Sequence, residues 1–139
     1  MTIERRMLPK VQPKRLREPR TTKKPAPRGF PASVKAIIAK RSGGMCELDF
    51  CGPADHYHHR AARGRGGTSL EWVNRAANGL HVALACHDRI EVRRTEAYVN
   101  GWLVARNGQQ VSARVPVLRQ GVWVLLDDEG GAREIGGVS

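Results

Sequence analysis

His58 and His59 stand side by side in this chain, and Arg60, a basic glycine-rich stretch, Asn78 and the Cys86-His87 pair follow them in order. Two adjacent imidazoles can divide the work of a metal centre, one holding a divalent cation while its neighbour takes a proton from water. A second histidine must then arrive from farther along the chain to complete the ligands. The segments between are therefore read for elements that could bring His87 back to the pair.

Pro31 can open a helix in which Val34, Ile37, Ile38 and Arg41 recur at i, i+3, i+4 and i+7, and Gly43-Gly44 can end it. Residues 45–60 lack a helical period and contain Gly52-Pro53, which puts Cys46 and Cys51 on a knuckle-like turn before a short extended segment with His58 and His59. Residues 61–67 are arginine, glycine and alanine, a composition suited to a loop that approaches phosphate closely. Thr68 and Glu71 have capping-box spacing, so a short helical turn is expected before Asn78. Leu80, Val82 and Leu84 alternate with His81, Ala83 and Ala85 as in a strand, and His87 to Tyr98 favours a helix ending at Gly101. The order is strand, loop, strand, helix. Trp102–Arg106, Val115–Leu118 and Val122–Leu126 read as β segments between Asn107-Gly108 and Gly130-Gly131 turns. Trp72, Trp102 and Trp123 are expected to anchor packing, and His56 to be a solvated loop residue.

Charge narrows the partners. The 139 residues carry a net charge of +11, of which residues 1–29 hold +8, from ten Lys or Arg against Glu4 and Glu18. Pro9, Pro13, Pro19, Pro25 and Pro27 break any helix there, so residues 1–30 read as a disordered basic arm. A polyanion is the expected partner, nucleic acid first. An arm neutralising about five phosphates gives a slope of log affinity on log salt near about −4.5. No segment approaches the roughly 18 apolar residues of a spanning helix, which argues against a membrane partner. No apolar stretch follows the basic N-terminus as a signal peptide requires, and an odd cysteine count of three argues against a secreted disulfide framework. A cytoplasmic protein is the expectation.

His58-His59-Arg60, Arg63-Gly64-Arg65-Gly66-Gly67, Asn78-Gly79-Leu80 and Cys86-His87, in that order, resemble the motif of HNH endonucleases, most closely the small HNH proteins of bacteriophages. The resemblance covers residues 31 to about 104 and weakens onward to Asp127-Asp128. It implies an α+β protein with a ββα-metal core over residues 31–104, preceded by a helix and the arm, and followed by a small β extension over 105–139 packed on that core. It also implies metal-dependent hydrolysis of DNA to 5′-phosphate and 3′-hydroxyl ends, phage packaging proteins as further partners, and the host cytoplasm as location. On the family pattern His59 is the general base, while His58 and His87 bind the catalytic Mg²⁺, Mn²⁺ or Zn²⁺. Glu91, four residues after His87 on the same helix face, can join them. Asn78 takes the family's middle position, nine residues before His87, and braces the loop that aims the base; Asn74, thirteen before it, competes for that role. Arg60, Arg63 and Arg65 are expected to contact phosphate.

Many members of that family place a second Cys-x2-Cys pair ending in Cys-His, but here four residues separate Cys46 from Cys51 and Ala83 stands where another thiolate is expected. His81 shares strand parity with Ala83, so a structural Zn²⁺ on Cys46, Cys51, His81 and Cys86 is the expected replacement. Reduced, buried thiols without metal are the alternative. Two other functions stay open: a zinc-stabilised DNA-binding protein of this fold without catalysis, and a basic RNA-binding protein.

Overall fold

The first helix starts at a proline and stops at a glycine, as the sequence requires. In a computed structural model that describes residues 29–49, 51–62, 70–105 and 110–136, α1 spans Ala32–Ser42. Gly43 closes it in the left-handed region at φ 63°, its N–H donating to the Lys40 carbonyl. Ile38 is fully buried on its inner face, packed with Phe30 and Ala76. Arg41 turns inward too, making a bidentate pair with the buried Glu47 at 2.7 Å and 2.7 Å. Arg119 reaches the same carboxylate at 3.1 Å, so one buried charge ties α1 to the C-terminal sheet.

β1 (His56–His59) pairs antiparallel with β2 (Gly79–Val82), with His58 opposite Leu80 and His59 opposite Gly79. Two 3-10 turns, Glu71–Asn74 and Ala76–Asn78, lead into β2 where a helical turn is expected. Gly79 is required by packing, because a Cβ there would collide with Ile38 Cδ1 and lie 3.0 Å from Phe30 Cζ. β2 therefore lies directly on α1.

The strand ends earlier than its alternation suggests. His56↔Val82 is the last pair of the ladder, so residue 83 has no partner strand and the chain turns into α2 (Leu84–Val92) with Leu84 half exposed. The predicted single helix from His87 to Tyr98 is instead α2 and α3 (Arg94–Val99), separated at Arg93, where φ −108° and ψ 63° interrupt the helix. Trp102 to Val104 form no strand. They follow α3 as a buried turn in which Trp102 and Leu103 donate to the Ala97 carbonyl and Val104 donates to that of Arg60.

After a 3-10 turn at Ser112–Arg114, β3 (Val117–Arg119), β4 (Val122–Leu126) and β5 (Ala132–Glu134) form an antiparallel sheet in that order. Gln120 and Gly121, both at positive φ, make the tight β3–β4 turn, and Gln120 Nε2 donates to the Cys46 carbonyl at 3.1 Å. β5 is not legible in the sequence, since Ala-Arg-Glu offers no apolar alternation. The molecule is α+β, and Val117, Val124 and Leu126 share a core with Leu80, Val82, Ile90 and Trp102. Among the described residues no helix is long and apolar enough to cross a membrane. The basic arm, Thr68 and the Asn107-Gly108 turn lie outside the described residues, apart from Gly29 and Phe30 at the arm's end.

Candidate metal centres

Hairpin and helix bring His58, His87 and Glu91 together, with one donor atom from each lying within 4.8 Å of the others. Period-two alternation turns His58 inward from β1, and i, i+4 spacing stacks His87 and Glu91 on one face of α2. His58 is 4 % exposed, and its Nε2 lies 3.0 Å from the Trp102 carbonyl. A carbonyl only accepts, so Nε2 carries the hydrogen and Nδ1 the lone pair. This is the outer-sphere bracing that metal-binding histidines use. Burial lowers the His58 pKa to about 4, helped by the neighbouring His87, His59 and Arg60 charges and opposed by the Trp102 hydrogen bond. The ring is neutral at pH 7, as a ligand must be. Two imidazoles and a carboxylate suit a divalent cation.

The three donors line a cavity of about 420 Å³ together with His59, Tyr57 and Leu103. His59 stacks flat on Phe30, ring centroids 3.8 Å apart and 6° from parallel, and its Nε2 is 3.1 Å from Asn74 Oδ1. Asn74 Oδ1, as an acceptor, takes the Nε2 hydrogen of His59. Asn74 is thus a direct partner of His59. Asn78, fully buried, acts one step away: its Nδ2 donates to the carbonyls of Ala61 and Val73, while Oδ1 accepts from the Ala61 N–H and the Ser112 hydroxyl. It braces the chain leaving His59-Arg60 and lines no part of the cavity. Spacing distinguishes the two asparagines by family position; only the turn at Glu71–Asn74 decides which side chain reaches the ring. His56 is not a loop residue. It begins β1, pairs with Asp55 at 2.7 Å, and its ring lies 5.6 Å from that of His87.

Arg60 does not face phosphate. It is fully buried, and Nε, Nη1 and Nη2 donate to the carbonyls of Gly101, Ala77, Ser112 and Val115 at 2.8–3.0 Å. Burial lowers its pKa to about 9, with Arg41 adding to the effect and Glu47 opposing it, so the guanidinium is still cationic at neutral pH. One side chain thus cross-links the hairpin, the turn after α3 and the approach to β3. Arg60→Met is expected to destabilise the fold by more than about 3 kcal/mol, because four carbonyls lose their donor. Arg60→Lys should recover only part of this, an ammonium having three donors and no planar fork. Urea denaturation of the three proteins measures it, and wild-type stability in Arg60→Met would remove the cross-linking role. Arg63 and Arg65 lie outside the described residues.

A second donor group includes Cys86, the residue before His87 in α2. The thiols of Cys46, Cys51 and Cys86 lie within 4.8 Å of one another, Cys51 and Cys86 at 2.8 Å. Burial works against a Cys46 thiolate, but backbone hydrogen bonds from Ala83, Leu48 and Asp49, with one from the Cys51 side chain, outweigh it and hold the thiol below its usual value. Burial and the neighbouring thiols push Cys86 up. Neighbours this close resist more than one negative charge among them unless a cation is bound.

His81 is not the fourth donor to this group. It stacks on Tyr57, ring centroids 4.5 Å apart, and its Nδ1 is 2.7 Å from Ser42 Oγ. Strand parity fails as a guide because the strand stops at Val82; Ala83 caps α2 and turns its backbone, not its side chain, to Cys46. Comparison with known proteins returns no matching family model, no matching curated protein and no matching solved structure.

Proposed function

We propose that this chain is a metal-dependent endonuclease of HNH type, in which β1, β2 and α2 form a ββα-metal core and DNA is the substrate. The observation that carries this reading is the meeting of His58, His87 and Glu91 within 4.8 Å, in the same cavity as His59. The net charge of +11, concentrated in the first 29 residues, supports a polyanionic substrate.

His58 Nδ1, a ring nitrogen of His87 and the Glu91 carboxylate would hold the cation. Bound there, a divalent ion supplies Lewis-acid polarisation of a phosphodiester and charge stabilisation at the leaving oxygen. Water attacks phosphorus in line with the 3′ oxygen, and His59 Nδ1 takes its proton. Asn74 and Phe30 hold that ring in one tautomer and one plane, so little reorganisation is needed at the moment of transfer. The Trp102 carbonyl fixes the ring of His58, and Asn78 fixes the backbone that leaves His59.

Cys46, Cys51 and Cys86 fit a structural zinc, with two soft donors on a knuckle and a third on the first turn of α2. Because Cys86 precedes His87, such an ion pins the start of α2 beneath the catalytic histidine.

Supercoiled plasmid incubated with the purified protein and Mg²⁺, Mn²⁺, Ni²⁺ or Zn²⁺ tests the proposal. Nicked or linear product is expected with at least one ion and none with chelator. Saturable DNA binding with intact plasmid under every ion would leave a binding protein instead.

A further inference from the structure

We propose that Arg94 is the phosphate clamp of this centre, contacting a non-bridging oxygen of the scissile phosphodiester from the α3 side of the cavity. The inference rests on the endonuclease reading and adds to it a substrate-binding residue outside the HNH motif.

His87 and Glu91 share one face of α2, and the break at Arg93 sets Arg94, the first residue of α3, beside them at the cavity. Among the described residues, Arg94 is the only Lys or Arg lining the cavity. Its Nη1 lies 3.5 Å from Glu91 Oε2, and its guanidinium sits 5.9 Å from the Tyr98 ring centroid. The side chain is 53 % exposed, so substrate can reach it. Arg60, the cation the motif offers for the same task, is consumed by four backbone carbonyls.

Two cations compete for one carboxylate. A divalent ion on His58, His87 and Glu91 draws on the Glu91 charge that Arg94 otherwise shares, and this turns the guanidinium toward the next anion in reach. A phosphodiester at the centre offers two non-bridging oxygens, which a planar fork matches better than a point charge. Metal and Arg94 should therefore oppose each other at Glu91 while cooperating on substrate.

The test is Arg94→Ala and Arg94→Lys, read by Mn²⁺ titration calorimetry and by plasmid-nicking kinetics; Mn²⁺ is chosen because the soft thiol group disfavours it. For Arg94→Ala, KM for DNA should rise about tenfold, the loss of one charge-assisted contact. Mn²⁺ should bind about 2- to 5-fold more tightly, as expected for removing an exposed competing ion pair. Arg94→Lys should fall between in KM. Weaker Mn²⁺ binding in Arg94→Ala would overturn the clamp in favour of a residue that merely holds Glu91 in place. Unchanged KM in an enzyme that cleaves would overturn the clamp and leave the endonuclease reading standing. Wild-type protein that neither binds Mn²⁺ nor cleaves would overturn both.

Discussion

His59→Ala is expected to lower the cleavage rate by about 10² to 10⁴-fold while DNA binding, Mn²⁺ affinity and the melting temperature change little. The separation follows from geometry. His59 projects from the face of β1 opposite to His58, between Phe30 and Asn74, and belongs to neither donor group. Its removal costs the stacking contact with Phe30 and the Asn74 hydrogen bond, each worth about 1 kcal/mol, against the loss of the proposed general base. His58→Ala and His87→Ala should behave differently, losing divalent-ion affinity together with rate. Asn74→Ala supplies a graded control: it frees the tautomer of His59 and should reduce the rate by less, with the ring still stacked. Rates are read on supercoiled plasmid at saturating metal. Near wild-type cleavage by His59→Ala would reassign the base.

Cys46→Ser is expected to purify without stoichiometric zinc and to melt far below the wild type, or not to fold. A structural zinc contributes on the order of 10 kcal/mol, comparable with the whole stability of a small domain. Three thiols within 4.8 Å of one another join the knuckle of residues 46–51 to the first turn of α2, and a zinc ion on them would tie the two segments together. Zinc analysis by mass spectrometry, thermal melts with and without chelator, and X-ray absorption check this. The absorption spectrum should show three sulfur neighbours at about 2.3 Å and no required contribution from His81. His81→Ala consequently should keep its zinc, losing the Ser42 hydrogen bond and the Tyr57 stack. Zinc-free wild-type protein that melts cooperatively would leave the cysteines as ordinary buried thiols.

Much of the candidate centre is legible in the sequence. His58, His87 and Glu91 need only the strand's period of two and the helix's period of 3.6 to meet, and the β1–β2 hairpin and α1 follow from the alternation at Leu80-Val82 and from Pro31 and Gly43. The clustering of three cysteines is also readable from their flanking positions. These are local rules. They act over a few residues and survive whatever the rest of the chain does.

Which polar groups face water and which face the interior is a different matter. Arg60 follows the histidines in the motif and reads as a phosphate ligand, yet the 3-10 turn before β2, the turn after α3 and the approach to β3 converge on it and supply four carbonyls. Asn74 and Asn78 differ by one short 3-10 segment, and only the fold sends one to His59 and the other into the core. His81 reads as interchangeable with Ala83 by parity, but parity holds only while a partner strand continues, and the ladder stops at Val82, opposite the first residue of β1. The sequence by itself determined the donors and the periodic elements that carry them, because both are set by residue type and spacing. The tertiary structure alone decided the bonding of Arg60, the partner of His59 and the exclusion of His81, because each depends on backbone groups brought in from segments distant in the chain.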